Sequence, residues 1–270
     1  MNFNQIEPDP TLADLVRNFW VLETEPGASP DFFHTMADGC PGLIFQPTER
    51  GIFHHPVKDG LPDLFVFGQH TSHVLFGLTG DFTTLGVSFH PHALEALFGL
   101  DAHELTDDCA DLTALVGPEG GRITDRLSAA ESTADKVELL NSFFRDRVAK
   151  HATELDPAVR FSLGEITATD GAVSLKELRD RLQLSERSLE RKFKRSVGIS
   201  PKLFARIRRF QSSLRQMQDP RVALTDVAFD QAYADQSHFI RSFKQFSGIT
   251  PRQYHKRFRR LAESVVGAGS

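Results

Sequence analysis

Apolar positions along the chain follow two rhythms. Through roughly the first hundred residues they come in short runs, FWVLE, GLIFQP, LFVFGQ, HVLFGL and TTLGVSF, rich in Phe, Val and Leu and separated by Gly, Pro and Asp. Runs of this length between turn-forming residues predict strands. Period-two alternation at Val74, Phe76 and Leu78, and again at Leu85, Val87 and Phe89, buries one face of each strand, as in a small β-barrel or sandwich. Beyond them the spacing becomes helical, and helices are predicted over residues 91–99, 101–116, 118–129 and 133–151. In the last, Val137, Leu140, Phe144 and Val148 form a stripe that Leu139 and Phe143 widen. Such a stripe ordinarily faces the chain's own core, and a face that wide suits, as a second reading, a helix shared between two copies of the chain. HATELDPAVR, residues 151–160, reads as a linker, with a new domain starting at Asp156-Pro157.

The C-terminal part repeats itself. RSLERKFKRSVGISPKLF, residues 187–204, returns fifty positions later as SHFIRSFKQFSGITPRQY, residues 237–254, with Arg191, Phe193, Lys194, Gly198, Ile199 and Pro201 recurring as Arg241, Phe243, Lys244, Gly248, Ile249 and Pro251. Leu189, Phe193 and Val197 share one helical face, as do Phe239, Phe243 and Phe246. Gly198 and Gly248 suit the left-handed position after a helix, and the Ser-Pro or Thr-Pro that follows suits the start of the next. A short helix precedes each copy. Residues 174–182 open with Ser174 and Glu177 in capping-box spacing, and residues 224–232 carry Leu224, Val227 and Ala228. Helix, tight turn and cation-bearing helix is the helix-turn-helix arrangement, whose second helix enters the major groove. Two copies would be joined by the helix opened by Pro201 and ending before Asp219-Pro220.

Charge sharpens this division. The net of -5 conceals +13 over residues 173–260, with 21 Lys and Arg against 8 Asp and Glu, and -17 over residues 1–172, with 10 against 27. A basic module on an acidic body points to a polyanionic partner.

The region of residues 156–260 resembles the bacterial AraC/XylS family of transcription regulators, whose DNA-binding domain has two helix-turn-helix units on a linking helix. AYADQSHFIRSFKQFSGITPRQY matches the family signature at Tyr233, Ser237, Phe239, Arg241, Phe243, Lys244, Gly248, Pro251 and Tyr254. Two positions depart from it: Ala232 stands where the family has Gly, and Arg179 where it has a small Ala. The stretch DGCPGLIF, followed by GQHTSHVLFGLTGDFTTLGVSFHPHALEALFG, resembles the cupin-like sensor half that precedes some such domains. Together these imply an α+β chain. Residues 1–151 would be a cupin-like β-barrel with C-terminal helices, acting as sensor and dimerisation domain. Residues 156–260 would be an all-α double helix-turn-helix domain, and residues 261–270 a tail.

Geometry and resemblance together assign roles. Arg187, Glu190 and Arg191 project opposite Leu189 and Phe193. An Arg grips guanine in a bidentate way and a Glu accepts from cytosine, so Arg187 and Glu190 are the candidates for base readout and Lys194 for phosphate. In the second unit Gln236, Ser237, His238 and Arg241 occupy the family's contact face, with Lys244 near the DNA backbone. Ion pairing with neighbours on the surface is the plainer role for Glu190 and Arg191. Double-stranded DNA is the expected partner, with RNA polymerase and a small-molecule effector besides, and the chain is expected to act as a homodimer.

The remaining chemistry is sparse. Cys40 and Cys109 are too few for a disulfide framework. The start lacks a signal peptide and no apolar run is long enough to span a bilayer, so a soluble cytoplasmic protein is expected, away from membranes. Nine of the eleven His fall within residues 1–151, and His90-Pro-His92 followed by Glu95 imitates a cupin metal motif. Pro91 with ALEALFG behind it reads instead as a helix start, and the motif's Gly spacing is absent, so no metal and no cofactor are expected. No Ser/His/Asp signature, P-loop or GxGxxG is present, and no enzymatic activity is expected. The competing readings are a cupin-type metal-binding enzyme with a DNA-binding appendage and a nucleoid protein without sequence preference.

Overall fold

A computed structural model describes residues 2–23, 32–46, 60–77, 83–151, 154–219, 221–231, 233 and 235–256. Leu78, Pro220, Ala232, His54, His55 and the tail of residues 261–270 lie outside the described residues. The described chain is α+β, with antiparallel sheets first and helices after.

Six strands form one sheet in the order β1-β2-β7-β4-β5-β8. They are β1 (Asn2–Ile6), β2 (Val16–Glu23), β4 (Gly42–Phe45), β5 (Leu64–Phe67), β7 (Thr83–Phe89) and β8 (Cys109–Asp111). A second, two-stranded sheet pairs β3 (Phe32–Thr35) with β6 (Val74–Gly77). The pleat sends alternate residues of the large sheet into different cores. Phe19, Val21, Leu43, Phe45, Leu64, Val66, Leu85, Val87 and Phe89 face a core closed by helices. Leu22, Ile44 and Phe65 face the other way, toward Phe76 of β6, with Trp20 and Phe67 packed beside them. The expected burial of Leu85, Val87 and Phe89 is therefore found, but both faces of β7 are covered. Trp20 lies across the backbone of Gly86, where a Cβ would come within 2.0 Å of the indole. Only glycine admits so close an approach.

The helices on the sheet are α1 (Ala93–Phe98), α2 (Leu112–Val116), α3 (Pro118–Ala129) and α4 (Thr133–His151). The helix expected over residues 101–116 does not form. Ala102–Leu105 is a 3-10 turn, Asp107 is left-handed at φ 57, and Cys109–Asp111 leaves the helical path to pair with β5 as β8. Asp111 then caps α2 by accepting from the Thr113 amide. Aspartates that hydrogen-bond their own following backbone stop helices as well as start them, and that competition outweighs the apolar spacing here. In α4, Val137, Leu140, Phe143 and Phe144 are buried and Leu139 and Val148 pack against the same core, so this stripe is occupied within the chain.

The C-terminal helices are α5 (Pro157–Ala168), α6 (Leu175–Leu182), α7 (Glu186–Val197), α8 (Pro201–Gln216), α9 (Leu224–Asp230) and α10 (Gln236–Ser247). Their boundaries follow the caps read from sequence. Ser174 accepts from Glu177, Ser185 from Ser188, Ser200 from Leu203 and Asp235 from His238. Gly198 and Gly248 close α7 and α10 in the left-handed region. The last helix starts one residue before the expected turn end, because Asp235 serves as its cap. Both repeats bury the same ring pair: Phe193 lies 5.7 Å from Phe204, and Phe243 lies 5.6 Å from Tyr254. Phe210 of α8 packs edge-on against Phe243 and joins the two copies into one core.

The two halves share surface. Ala37, from the segment after β3, is buried in the helical core with Met36 beside it. Its N–H donates to the Phe246 carbonyl and its carbonyl accepts from Gln211 of α8.

Candidate nucleic-acid interface and adjoining cavity

In α7, the apolar residues Leu189, Phe193 and Val197 are buried, which turns Arg187 and Arg191 to solvent and leaves Glu190 and Lys194 half-buried. Glu190 and Lys194 pair with each other at 3.0 Å across one helical turn, the plainer role weighed for Glu190. An exposed i,i+4 pair contributes only about 0.3–0.5 kcal/mol, so DNA phosphate or a base edge would displace it readily. In α10, burial of Phe239, Phe243 and Phe246 leaves Gln236, Ser237, Arg241 and Lys244 exposed. His238 leans edge-on against the Tyr233 ring at 5.4 Å. All nine expected contact residues thus lie on two helices that each follow a short helix in the chain. Ile240, 39 % exposed beside Arg241, was not anticipated; it falls off the apolar stripe and its pattern gave no sign of a role. Arg179, where the family pattern has a small residue, turns its guanidinium to Glu186 at 2.5 Å, while its buried Nε has no hydrogen-bond partner.

The C-terminal ends of both cation-bearing helices are held by the N-terminal half. Glu95 of α1 accepts from Arg195 Nε at 3.0 Å and from the Ser196 hydroxyl at 2.7 Å. The Gly198 carbonyl accepts from Thr106 Oγ1 at 2.7 Å and lies 3.1 Å from His103 Nδ1. Fifty residues on, the Gln245 carbonyl accepts from the His73 amide and the Gln245 side chain donates to the Thr71 carbonyl. Equivalent points of the repeat therefore rest on one body. Glu95, directed to α7, is not brought together with His90 and His92, and no group of three metal-ligating side chains gathers among the described residues. Burial first, then the neighbouring His90 and Arg160, pulls the His92 imidazole down to about 4.

Behind this junction is a cavity of about 380 Å³ between the two sheets. Trp20, Phe65, Phe67 and Phe76 line it, Gln211 of α8 reaches its wall, and Arg17, Asn18 and Asp38 add polar groups. Asp38 is exposed on the cavity; the protein packed around it pushes its carboxyl up, and the Cys40 amide, Arg17 and Arg208 pull it partly back. Burial also pushes the Cys40 thiol up to about 12, so it is a neutral thiol near pH 7. No sequence motif marked this site. Its trace is only that Asn18 and Trp20 alternate with the core residues Phe19 and Val21.

Residues 178–257 match the family described as a helix-turn-helix domain, and residues 4–111 match a domain of unknown function (DUF6597). Among curated proteins the chain is similar to the HTH-type transcriptional activator RhaS of Escherichia fergusonii, 30% identical over 82 residues, which are 30% of each chain. It is also similar to the uncharacterized HTH-type transcriptional regulator YtdP of Bacillus subtilis, 29% identical over 92 residues, 34% of this chain and 12% of that one. The chain thus spans less than a third of the length of either relative. Among solved structures, ToxT of Vibrio cholerae overlays 94% of this chain and 98% of its own at 12% identity, with a TM-score of 0.48.

Proposed function

With a C-terminal helix-turn-helix domain of the AraC type, the chain is, we propose, a sequence-specific DNA-binding transcription regulator controlled through its N-terminal half. One observation carries this most. Cations recur at a fifty-residue offset, at Arg191 and Arg241 and at Lys194 and Lys244, on helices whose other face is one continuous core. Arg187 and Glu190 read bases in the first unit, as Gln236, Ser237, His238 and Arg241 do in the second, and Lys194 and Lys244 meet phosphate. Residues 156–260 are the DNA-binding domain and residues 1–151 the sensor, in which two cupin-like sheets enclose the effector cavity. The protein works in the cytoplasm, with RNA polymerase as a further partner. A homodimer would use a surface other than the stripe of α4, which the chain's own core covers.

The test is selection of a binding site from random duplexes, followed by alanine variants. Arg187→Ala or Arg241→Ala should relax preference at one position by about 1–3 kcal/mol, while Lys194→Ala or Lys244→Ala should weaken all sequences alike. Equal losses on selected and random DNA for every variant would leave only an electrostatic binder.

A further inference from the structure

The cavity between the sheets points to one class of occupant: we infer that it binds a protonated arylalkyl amine, with the ammonium at Asp38 and Asn18 and the apolar part among Trp20, Phe65 and Phe67. This rests on the reading of the N-terminal half as a sensor and names what it senses.

Two acceptors in the lining have hydrogen-bonding capacity to spare, Asp38 exposed on the cavity and Asn18 buried beside it. Asp38 takes a single hydrogen bond, from the Cys40 amide at 3.0 Å, and no cation lies within ion-pair distance of it among the described residues; Arg17 and Arg208 act on it from further off. Asn18 Oδ1 is buried with no hydrogen-bond partner. Both are acceptors. A carboxylate and an amide oxygen open to one cavity are satisfied together by an ammonium, which brings three donors and no acceptor. The wider charge balance agrees, since among the described lining residues Asp38, Asp107 and Asp108 stand against the guanidinium of Arg17. Arg17 itself donates to Cys40 Sγ at 3.4 Å. Around these groups the walls are aromatic, and ring faces attract a cation as well as apolar carbon. A carboxylate ligand would meet the opposite arrangement, with only Arg17 favouring it.

The position also gives binding a route outward. Asp38 adjoins Ala37, whose two backbone hydrogen bonds reach α8 and α10, and Gly39 packs against Phe204 and Ile207 of α8. Drawing Asp38 toward an ammonium pulls on the segment that seats the two halves together.

Trp20 is the single tryptophan of the chain and lines the cavity, so its emission reports occupancy directly. The full chain is titrated with 4-phenylbutylamine, with 4-phenylbutan-1-ol as its neutral counterpart, and with 5-phenylpentanoate as its anionic one. The amine should change Trp20 emission saturably, with the alcohol binding about tenfold or more weakly and the carboxylate more weakly still, as the loss of an enclosed charge pair requires. In Asp38→Asn, an isosteric change, the amine should lose its advantage over the alcohol. Equal affinity for amine and alcohol, preference for the carboxylate, absence of binding by all three, or an amine preference that survives in Asp38→Asn would each overturn the inference. Site selection on ligand-free protein reports separately on the regulator reading. Failure there with the amine preference intact would remove the regulator and leave the amine site.

Discussion

Gly198 has two reasons to be glycine. It and its counterpart Gly248 both close a helix in the left-handed region, at φ 93 and φ 76. An alanine there costs about 1–2 kcal/mol for the backbone alone. At Gly198 a Cβ would also meet the Ala102 carbonyl at 3.0 Å and Thr106 Oγ1 at 3.1 Å, crowding the hydrogen bonds that tie α7 to the N-terminal half. Gly198→Ala should therefore destabilise the full chain, in urea denaturation, by more than that backbone cost. A loss no larger than about 1–2 kcal/mol would mean that the junction around Gly198 adds nothing. His92 supplies a second expectation at this scale. Its folded pKa, about 4, lies below the ordinary imidazole value of 6.5, so the unfolded chain binds its proton first. The stability that comes from keeping it neutral is complete above 6.5 and is lost as pH falls from 6.5 toward 4. Stability measured across that window should drop less steeply in His92→Gln; an unchanged slope would put the acid sensitivity elsewhere.

At the scale of elements, α8 is the spacer between the two candidate reading helices. Its sixteen residues span about 24 Å at 1.5 Å each. The contacts along it divide near Arg208: Phe204 serves the first unit through Phe193, and Phe210 the second through Phe243 and Phe246. Two alanines inserted after Arg208 would leave those pairs within their own units while turning one unit by about 200° relative to the other. The insertion also separates Gln211 from Ala37. The footprint on the selected site should then shrink to one half, with helical circular dichroism retained. A full footprint at near-native affinity would reduce one copy of the repeat to scaffold.

Across the whole molecule, opposite charges are stacked in one chain, a -17 part carrying a +13 part. Binding to DNA should weaken steeply with salt as phosphates shed counterions. Replacing Lys194 or Lys244 by Ala should lower the slope of log affinity against log salt by about 1 each. A slope untouched by either would move the phosphate contacts off these helices.

The repeat, the caps and the charge division were legible because each is local. Ser185 caps α7 from three residues away, Gly198 needs only its own φ, and the phenylalanine stripes at i and i+4 face one core whatever that core contains. The strands were legible for the same reason, through alternation along single segments. What sequence could not supply is whatever depends on segments far apart meeting. The span 101–116 had helical spacing, yet Cys109–Asp111 completes the edge of the sheet by pairing with β5, some forty residues earlier, and strand pairing at that distance leaves no periodic mark. The wide apolar face of α4 was legible as a face, but whether a second copy or the chain's own sheet covers it was settled by packing. The cavity is the extreme case: Arg17, Asn18, Trp20, Asp38 and Gln211 come from three regions of the chain and share no spacing. An unsatisfied acceptor such as Asn18 Oδ1 exists only once folding has enclosed it, and Asp38 joins it on one cavity only in the tertiary structure, whereas Arg191 and Arg241 already had their pattern in the repeat.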